Sequence, residues 1–82
     1  MKSFGSRDLE NFVKKFNFAF HSISSSHHAK YYPPKDRVPT DPSRPFFQFQ
    51  LGRKTYDSHS ASRYISQLKK LGFSKDEIEK NI

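Results

Sequence analysis

All five prolines of this 82-residue chain fall within one stretch, SSHHAKYYPPKDRVPTDPSRP, which runs from residue 25 to residue 45. Proline locks φ and has no N–H to donate, so it interrupts helices and is excluded from central strands. The stretch therefore reads as an extended, irregular arm, and the regular elements must come from the segments on either side. An irregular segment longer than about 15 residues inside a small domain is usually functional or disordered. Charge collects on the same part of the chain. From Lys30 to Lys54 there are six basic residues, Lys30, Lys35, Arg37, Arg44, Arg53 and Lys54, against Asp36 and Asp41, which makes +4 of a total net charge of +7.

The flanking segments carry periodic signals. Leu9, Phe12, Val13 and Phe16 recur at helical spacing in SRDLENFVKK, so a helix is expected over 6–15, capped by Ser6 or Asp8, with Lys14 and Lys15 suiting its C-terminal dipole. Phe16, Phe18 and Phe20 then alternate at the period of a strand, whereas Phe16, Phe20 and Ile23 would continue the helix; a strand from 16 to about 24 is preferred over that helix. After the arm, Phe47, Phe49 and Leu51 alternate with Phe46, Gln48 and Gln50. Gly52-Arg53 reads as the turn of a hairpin and Lys54 to Asp57 as a short return strand. Ala61, Tyr64, Ile65, Leu68 and Leu71 form the apolar stripe of a second helix, capped by Ser58 or Ser60. Gly72 is placed to end that helix in a Schellman motif, with Phe73 folding back. Ser74 and Glu77 form a capping box for a last short helix that buries Ile78 and Ile82.

Composition excludes several classes. The chain has no cysteine, hence no disulfide framework and no thiolate zinc site. No apolar run approaches the roughly 18 residues that a membrane span needs. The first residues, MKSFGSRDLE, turn acidic too early for a signal peptide, so a soluble, cytoplasmic, reducing location is expected. Phosphate-binding glycine loops, HExxH and nucleophile elbows are all missing. His27-His28 has the wrong spacing for one helical face, and no carboxylate cluster accompanies His21, His27, His28 or His59. Asp57, His59 and Ser60 are adjacent in sequence, whereas a nucleophilic triad is assembled from distant positions. The reading is a non-enzymatic protein that calls for no metal and no cofactor.

A sequence pI of 9.9 with 16% aromatic residues is the footprint of a small domain that meets phosphate. Arg53 and Lys54 at the expected hairpin tip suit phosphate contact, although a basic turn also serves solubility. Arg63, Gln67 and Lys70 lie on a second face of the long helix. They are either solvated or poised over base edges. Tyr31, Tyr32 and Phe46 flank the arm, and aromatics interleaved with Lys30, Lys35, Arg37 and Arg44 suit stacking on unpaired bases. The same rings could equally pin the arm to the body or serve a protein-docking strip.

The run LGRKTYDSHSASRYISQLKKLGF, read as strand, glycine-basic turn, strand and helix, resembles AP2-type DNA-binding domains and the arm-binding N-terminal domains of phage integrases. Leu51-Gly52 followed by Tyr56, Asp57 and Ser58 is similar to the residues that lead into the helix of that family. The resemblance implies a sheet laid in the major groove with a helix bracing it, and puts Arg53, Lys54 and Gln48 or Gln50 near DNA. It spans about a third of the chain and departs from the family in an extra residue before Tyr56, the lack of a sheet tryptophan, and about 20 residues inserted ahead of the hairpin. LKKLGFSKDEI also resembles the helix-turn-helix junctions of MerR-type regulators.

The expectation is one α+β domain: an N-terminal helix, a two- or three-stranded antiparallel sheet, and a C-terminal helix pair on one face. Its expected function is nucleic-acid binding, DNA before RNA. The alternative is a phage or mobile-element inhibitor of a host factor, of the anti-CRISPR or anti-defence type, docking on an acidic protein surface. A core this small would also accept support from a second copy of the chain.

Overall fold

The first apolar stripe folds as its spacing demands. In the computed structural model, which describes residues 3–40 and 43–82, helix α1 spans Ser6–Lys15 and buries Leu9, Phe12 and Val13 completely. Its N-cap is Gly5 rather than Ser6 or Asp8: the Asp8 carboxylate accepts from the Gly5 N–H at 2.8 Å, while the Ser6 hydroxyl is turned toward residue 53. Asn17 ends the helix with a left-handed φ of 60°, a conformation its short amide side chain tolerates better than most residues do. The Phe18 N–H then donates back to the Val13 carbonyl at 2.9 Å.

That turn corrects the expected strand over 16–24. Strand β1 covers only Ala19–Ile23, and Phe16 and Phe18 belong to the helix terminus. Phe18 lies stacked on Phe73 at 5.5 Å and edge-on to Phe12 at 6.3 Å. The alternation of phenylalanines arises because a helix end and a strand start meet there, not because one strand carries all three.

The arm needs a larger correction. Strand β2, His28–Tyr32, lies inside it and is the middle strand of the sheet. These five residues precede the first proline, so nothing bars them from pairing on both sides. β1 and β2 run antiparallel with Ala19 opposite Tyr32 and Ile23 opposite Ala29, with a bulge between Phe20 and Ser22. β2 and β3, Phe47–Gln50, are antiparallel with His28 opposite Gln50 and Lys30 opposite Gln48. Only the remainder of the arm is irregular; Asp41 and Pro42 lie outside the described residues.

No hairpin forms at Gly52. The glycine has a positive φ of 75°, but the chain beyond it runs beside the N-terminus instead of returning along β3. The Arg53 carbonyl accepts from the Ser6 N–H at 2.9 Å, and the Tyr56 N–H donates to the Phe4 carbonyl at 2.8 Å. β2 occupies one edge of β3, and helix α2, Ser58–Lys70, closes the other. Gln67 Oε1 accepts from the Gln48 N–H and Tyr64 Oη accepts from the Gln50 N–H, both at 3.1 Å, while Tyr56 Oη donates to the Gln50 carbonyl at 2.5 Å. Two tyrosines and a glutamine thus complete the pairing that a fourth strand would supply, which an edge left bare does not have. Burial pushes the Tyr56 phenol well above its usual range, with Tyr64 beside it adding to the effect.

The C-terminal half follows its sequence signals closely. The N-cap of α2 is Asp57, not a serine, and its carboxylate accepts from the Ser60 N–H at 3.4 Å. Tyr64, Leu68 and Leu71 are buried, with Ala61 and Ile65 packed against the same core. Gly72, at φ 97°, ends α2 in the expected Schellman motif: its N–H donates to Lys69, and that of Phe73 to Leu68 at 3.2 Å. The Ser74–Glu77 capping box opens helix α3, Lys75–Asn81, which buries Ile78. The result is the expected mixture of an N-terminal helix, a three-stranded antiparallel sheet and two C-terminal helices. Its core is built mainly from Phe4, Phe12, Phe47, Phe49 and Phe73 with Leu9, Leu68 and Leu71. Among the described residues no helix is long and apolar enough to cross a membrane.

Candidate nucleic-acid interface

The alternation of β2 and β3 sorts their side chains to two faces. Ala29, Phe47 and Phe49 point into the core, and Tyr31 stacks on Phe49 at 5.8 Å. His28, Lys30, Tyr32, Phe46, Gln48 and Gln50 share the opposite face by register. Because α2 sits against the edge of β3, its Arg63–Gln67 side meets that second face at an angle, and a cleft opens between them.

The cleft has a volume of about 390 Å³. One wall is sheet, with His28 and Gln48; the other is helix, with Ser60, Arg63 and Gln67. Arg44 reaches in from the arm. A second recess of about 210 Å³ continues it, sharing Arg44, Arg63 and Gln67 and adding Phe46, Ser66 and Lys70. Among the described residues no carboxylate lines either recess. Lys30 lies beside them, with its Nζ 4.2 Å from the centroid of the Phe46 ring, and the Arg44 guanidinium is 5.5 Å from the same ring. Tyr32 meets Phe46 edge-on at 6.4 Å. Among the described residues, ion pairs join only Arg37 to Glu77 and Lys75 to Glu79, so Lys30, Arg44, Arg63 and Lys70 have no acidic partner there.

Of the residues singled out in the sequence, Lys30, Arg44, Phe46, Gln48, Arg63, Gln67, Lys70 and Tyr32 are thus brought together, from four separate segments. Six others are not. Arg37 forms a bidentate pair with Glu77, at 2.8 and 2.5 Å, and lies 4.2 Å over the Phe73 ring. Those hydrogen bonds hold the Glu77 carboxyl down to about 2 and raise the Arg37 guanidinium further, so this arginine fastens the arm to α3. Lys35 is exposed in the turn just before it. Gln50 shares the open sheet face but lines neither recess, and Tyr31 belongs to the core side of the sheet. Arg53 and Lys54 line a different recess, next to Arg7 and Asp8 at the start of α1.

Sequence reading missed the serine and histidine residues at the cleft mouth. Ser24 and Ser26 share a hydrogen bond at 3.0 Å, and Ser26 bonds His28 Nδ1 at 3.0 Å. All three line the cleft, because the β1–β2 turn places them over Arg44 and Ser60. The available signal was the alternation of HAKYY, with small Ala29 and aromatic Tyr31 on one side and polar residues on the other. Among the described residues no carboxylate bonds the His28 ring, and the serine–histidine chain presents its hydroxyl and imidazole groups to the cleft.

Set against protein-family models, curated proteins and solved structures, the chain matches none of them.

Proposed function

We propose that this protein is a small, basic, non-enzymatic nucleic-acid-binding protein, DNA being the favoured partner, and that the cleft between α2 and the open sheet face holds the phosphate backbone. The observation that carries the reading is a cleft flanked by Lys30, Arg44, Arg63 and Lys70, with no carboxylate among its described lining residues. Four cations with no acidic partner among the described residues, set around one concavity, attract a polyanion and release its counterions. Hydroxyls from Ser26 and Ser60 and the His28 ring add hydrogen-bonding groups of the kind that commonly meet phosphate oxygens. Such a protein would act inside the cell, which also suits a chain without cysteine. Gln67 is a poor candidate for reading a base, since its carbonyl oxygen is spent on the Gln48 N–H.

Salt dependence of binding tests the reading. With four phosphates neutralised, log K should fall with log salt at a slope of about −3. An Arg63→Ala/Lys70→Ala double variant should flatten that slope by about 1.5 to 2. Arg53→Ala/Lys54→Ala, outside the cleft, should change it less. If the second pair flattens the slope and the first does not, the Gly52 corner binds and the cleft does not.

A protein-binding inhibitor of the anti-defence type is the second reading. It draws on another surface: β1 is the uncovered edge of the sheet and leaves Phe20 57% and Ile23 53% exposed. Capture of an acidic host protein that survives nuclease treatment and is lost in Phe20→Lys would favour it over the first.

A further inference from the structure

Resting on the nucleic-acid reading, we infer that the cleft accepts a single-stranded segment rather than a duplex, with one phosphate held at the rim between Arg44 and Arg63 and a base in each of the two recesses. Duplex DNA is read by elements that stand proud of a protein, such as a helix or a two-stranded ribbon placed in a major groove about 12 Å wide. Here the polar side of α2 does not stand proud. Arg63 and Gln67 face Arg44 and Gln48 across a concavity, so that side of the helix is already the wall of a cleft. The segment after Gly52 forms no ribbon, being tied to Phe4 and Ser6 by backbone hydrogen bonds. Neither protruding element is present at this surface.

What the surface offers is a sequence of sites along a line. The two recesses share Arg44, Arg63 and Gln67, which puts two guanidinium groups at their junction. An extended strand alternates phosphate and base, and a cation pair between two hollows matches that alternation. The outer recess has an aromatic wall in Phe46, and Tyr32 stands edge-on beside it. Unpaired bases stack on such rings whatever their identity, and single-strand-binding grooves combine stacking with a basic track in this way. DNA and RNA share this chemistry.

The experiment uses the full chain and three labelled probes of equal length, a 12-nucleotide oligo-dT, the matching oligo-U and a 12-base-pair duplex DNA, followed by fluorescence anisotropy near physiological salt. The single strands should bind at least tenfold tighter than the duplex. Phe46→Leu should weaken the single strands by about tenfold through lost stacking and leave the duplex affinity unchanged. Because the chain contains no tryptophan, Phe46→Trp gives a local reporter that retains a stacking surface. Its emission should be quenched by oligo-dT or oligo-U and not by duplex. Duplex binding as tight as single-strand binding, or Phe46→Trp quenching by duplex alone, would overturn the inference while leaving the nucleic-acid reading standing. Absence of binding to all three probes would overturn both. Equal affinity for oligo-dT and oligo-U supports the inference, and tighter binding of one of them by tenfold supports it with a preference for that strand.

Discussion

Gly5 is the N-cap of α1, and the chain segment around Arg53 and Lys54 lies directly against it. A Cβ placed on this glycine would come within 1.9 Å of the Lys54 carbonyl oxygen and 2.6 Å of that of Arg53. Ordinary contact begins at 3.4 Å, so in Gly5→Ala the facing backbone must withdraw by the difference, about 1.5 Å. Three hydrogen bonds between Ser6 and Arg53 cross this contact, at 2.9, 3.0 and 3.1 Å, and none survives such a shift. Losing three bonds at about 1 kcal/mol each gives a cost of about 3 kcal/mol. Treating the change as overpacking gives about 1–3 kcal/mol, a consistent figure. A domain of this size has only about 4–12 kcal/mol of stability in total. The assay is urea unfolding followed by far-UV circular dichroism. With a slope of about 1.5 kcal/mol per molar urea, the midpoint should fall by about 2 M. Gly52→Ala is the control, since that glycine has a positive φ but open space around it. It should cost only the left-handed strain of about 1 kcal/mol, or about 0.7 M. A midpoint loss for Gly5→Ala no larger than that of Gly52→Ala would refute the close approach of the 53–54 segment to α1.

Tyr64→Phe keeps the ring packed against Phe47 and Tyr56 but removes the acceptor for the Gln50 N–H. It should cost about 1–2 kcal/mol and speed amide exchange at Gln50; unchanged exchange there would show that α2 does not seal the edge of β3. Acid should weaken the tie between arm and α3, because hydrogen bonding to Arg37 holds the Glu77 carboxyl at about 2, below its ordinary 4.5. A depressed carboxyl contributes stability above its unfolded value and loses that contribution as pH falls through its folded one. The melting temperatures of wild type and Glu77→Gln should therefore differ most at neutral pH and converge as pH falls from 4.5 toward 2. Curves that stay parallel over that window would remove the pair from the account of acid sensitivity.

Much of the helical structure was legible because its determinants lie within a few residues of one another. The stripe from Leu9 to Phe16, the Gly72–Phe73 terminus and the Ser74–Glu77 box each need only a turn or two of chain to act. The expected caps, Ser6 or Asp8 for α1 and Ser58 or Ser60 for α2, give way to Gly5 and Asp57, since several neighbouring residues are competent caps and local periodicity does not choose among them. Ser6 gave its hydroxyl to Arg53, leaving Gly5 to begin the helix. The candidate interface was half legible. Residue types told which side chains suit phosphate, but Arg37 looked as eligible as Arg44 until Glu77, 40 residues away, was found opposite it.

By itself the sequence determined the helices, the Gly72 and Ser74 signals between α2 and α3, the alternating face of β3 and the excess of positive charge, all of which follow from local periodicity and composition. Tertiary structure decided the pairing. Alternation says that a strand has two faces; it does not say which segment lies along each edge. The entropy cost of closing a loop grows only slowly with length, so the nearby segment after Gly52 held little advantage over distant His28–Tyr32 as a partner for β3. The apolar match of Ala29 and Tyr31 to Phe49 and Phe47 settled the choice, and α2 filled the remaining edge. That arrangement, and no local feature of the chain, brings Lys30, Arg44, Arg63 and Lys70 to one cleft.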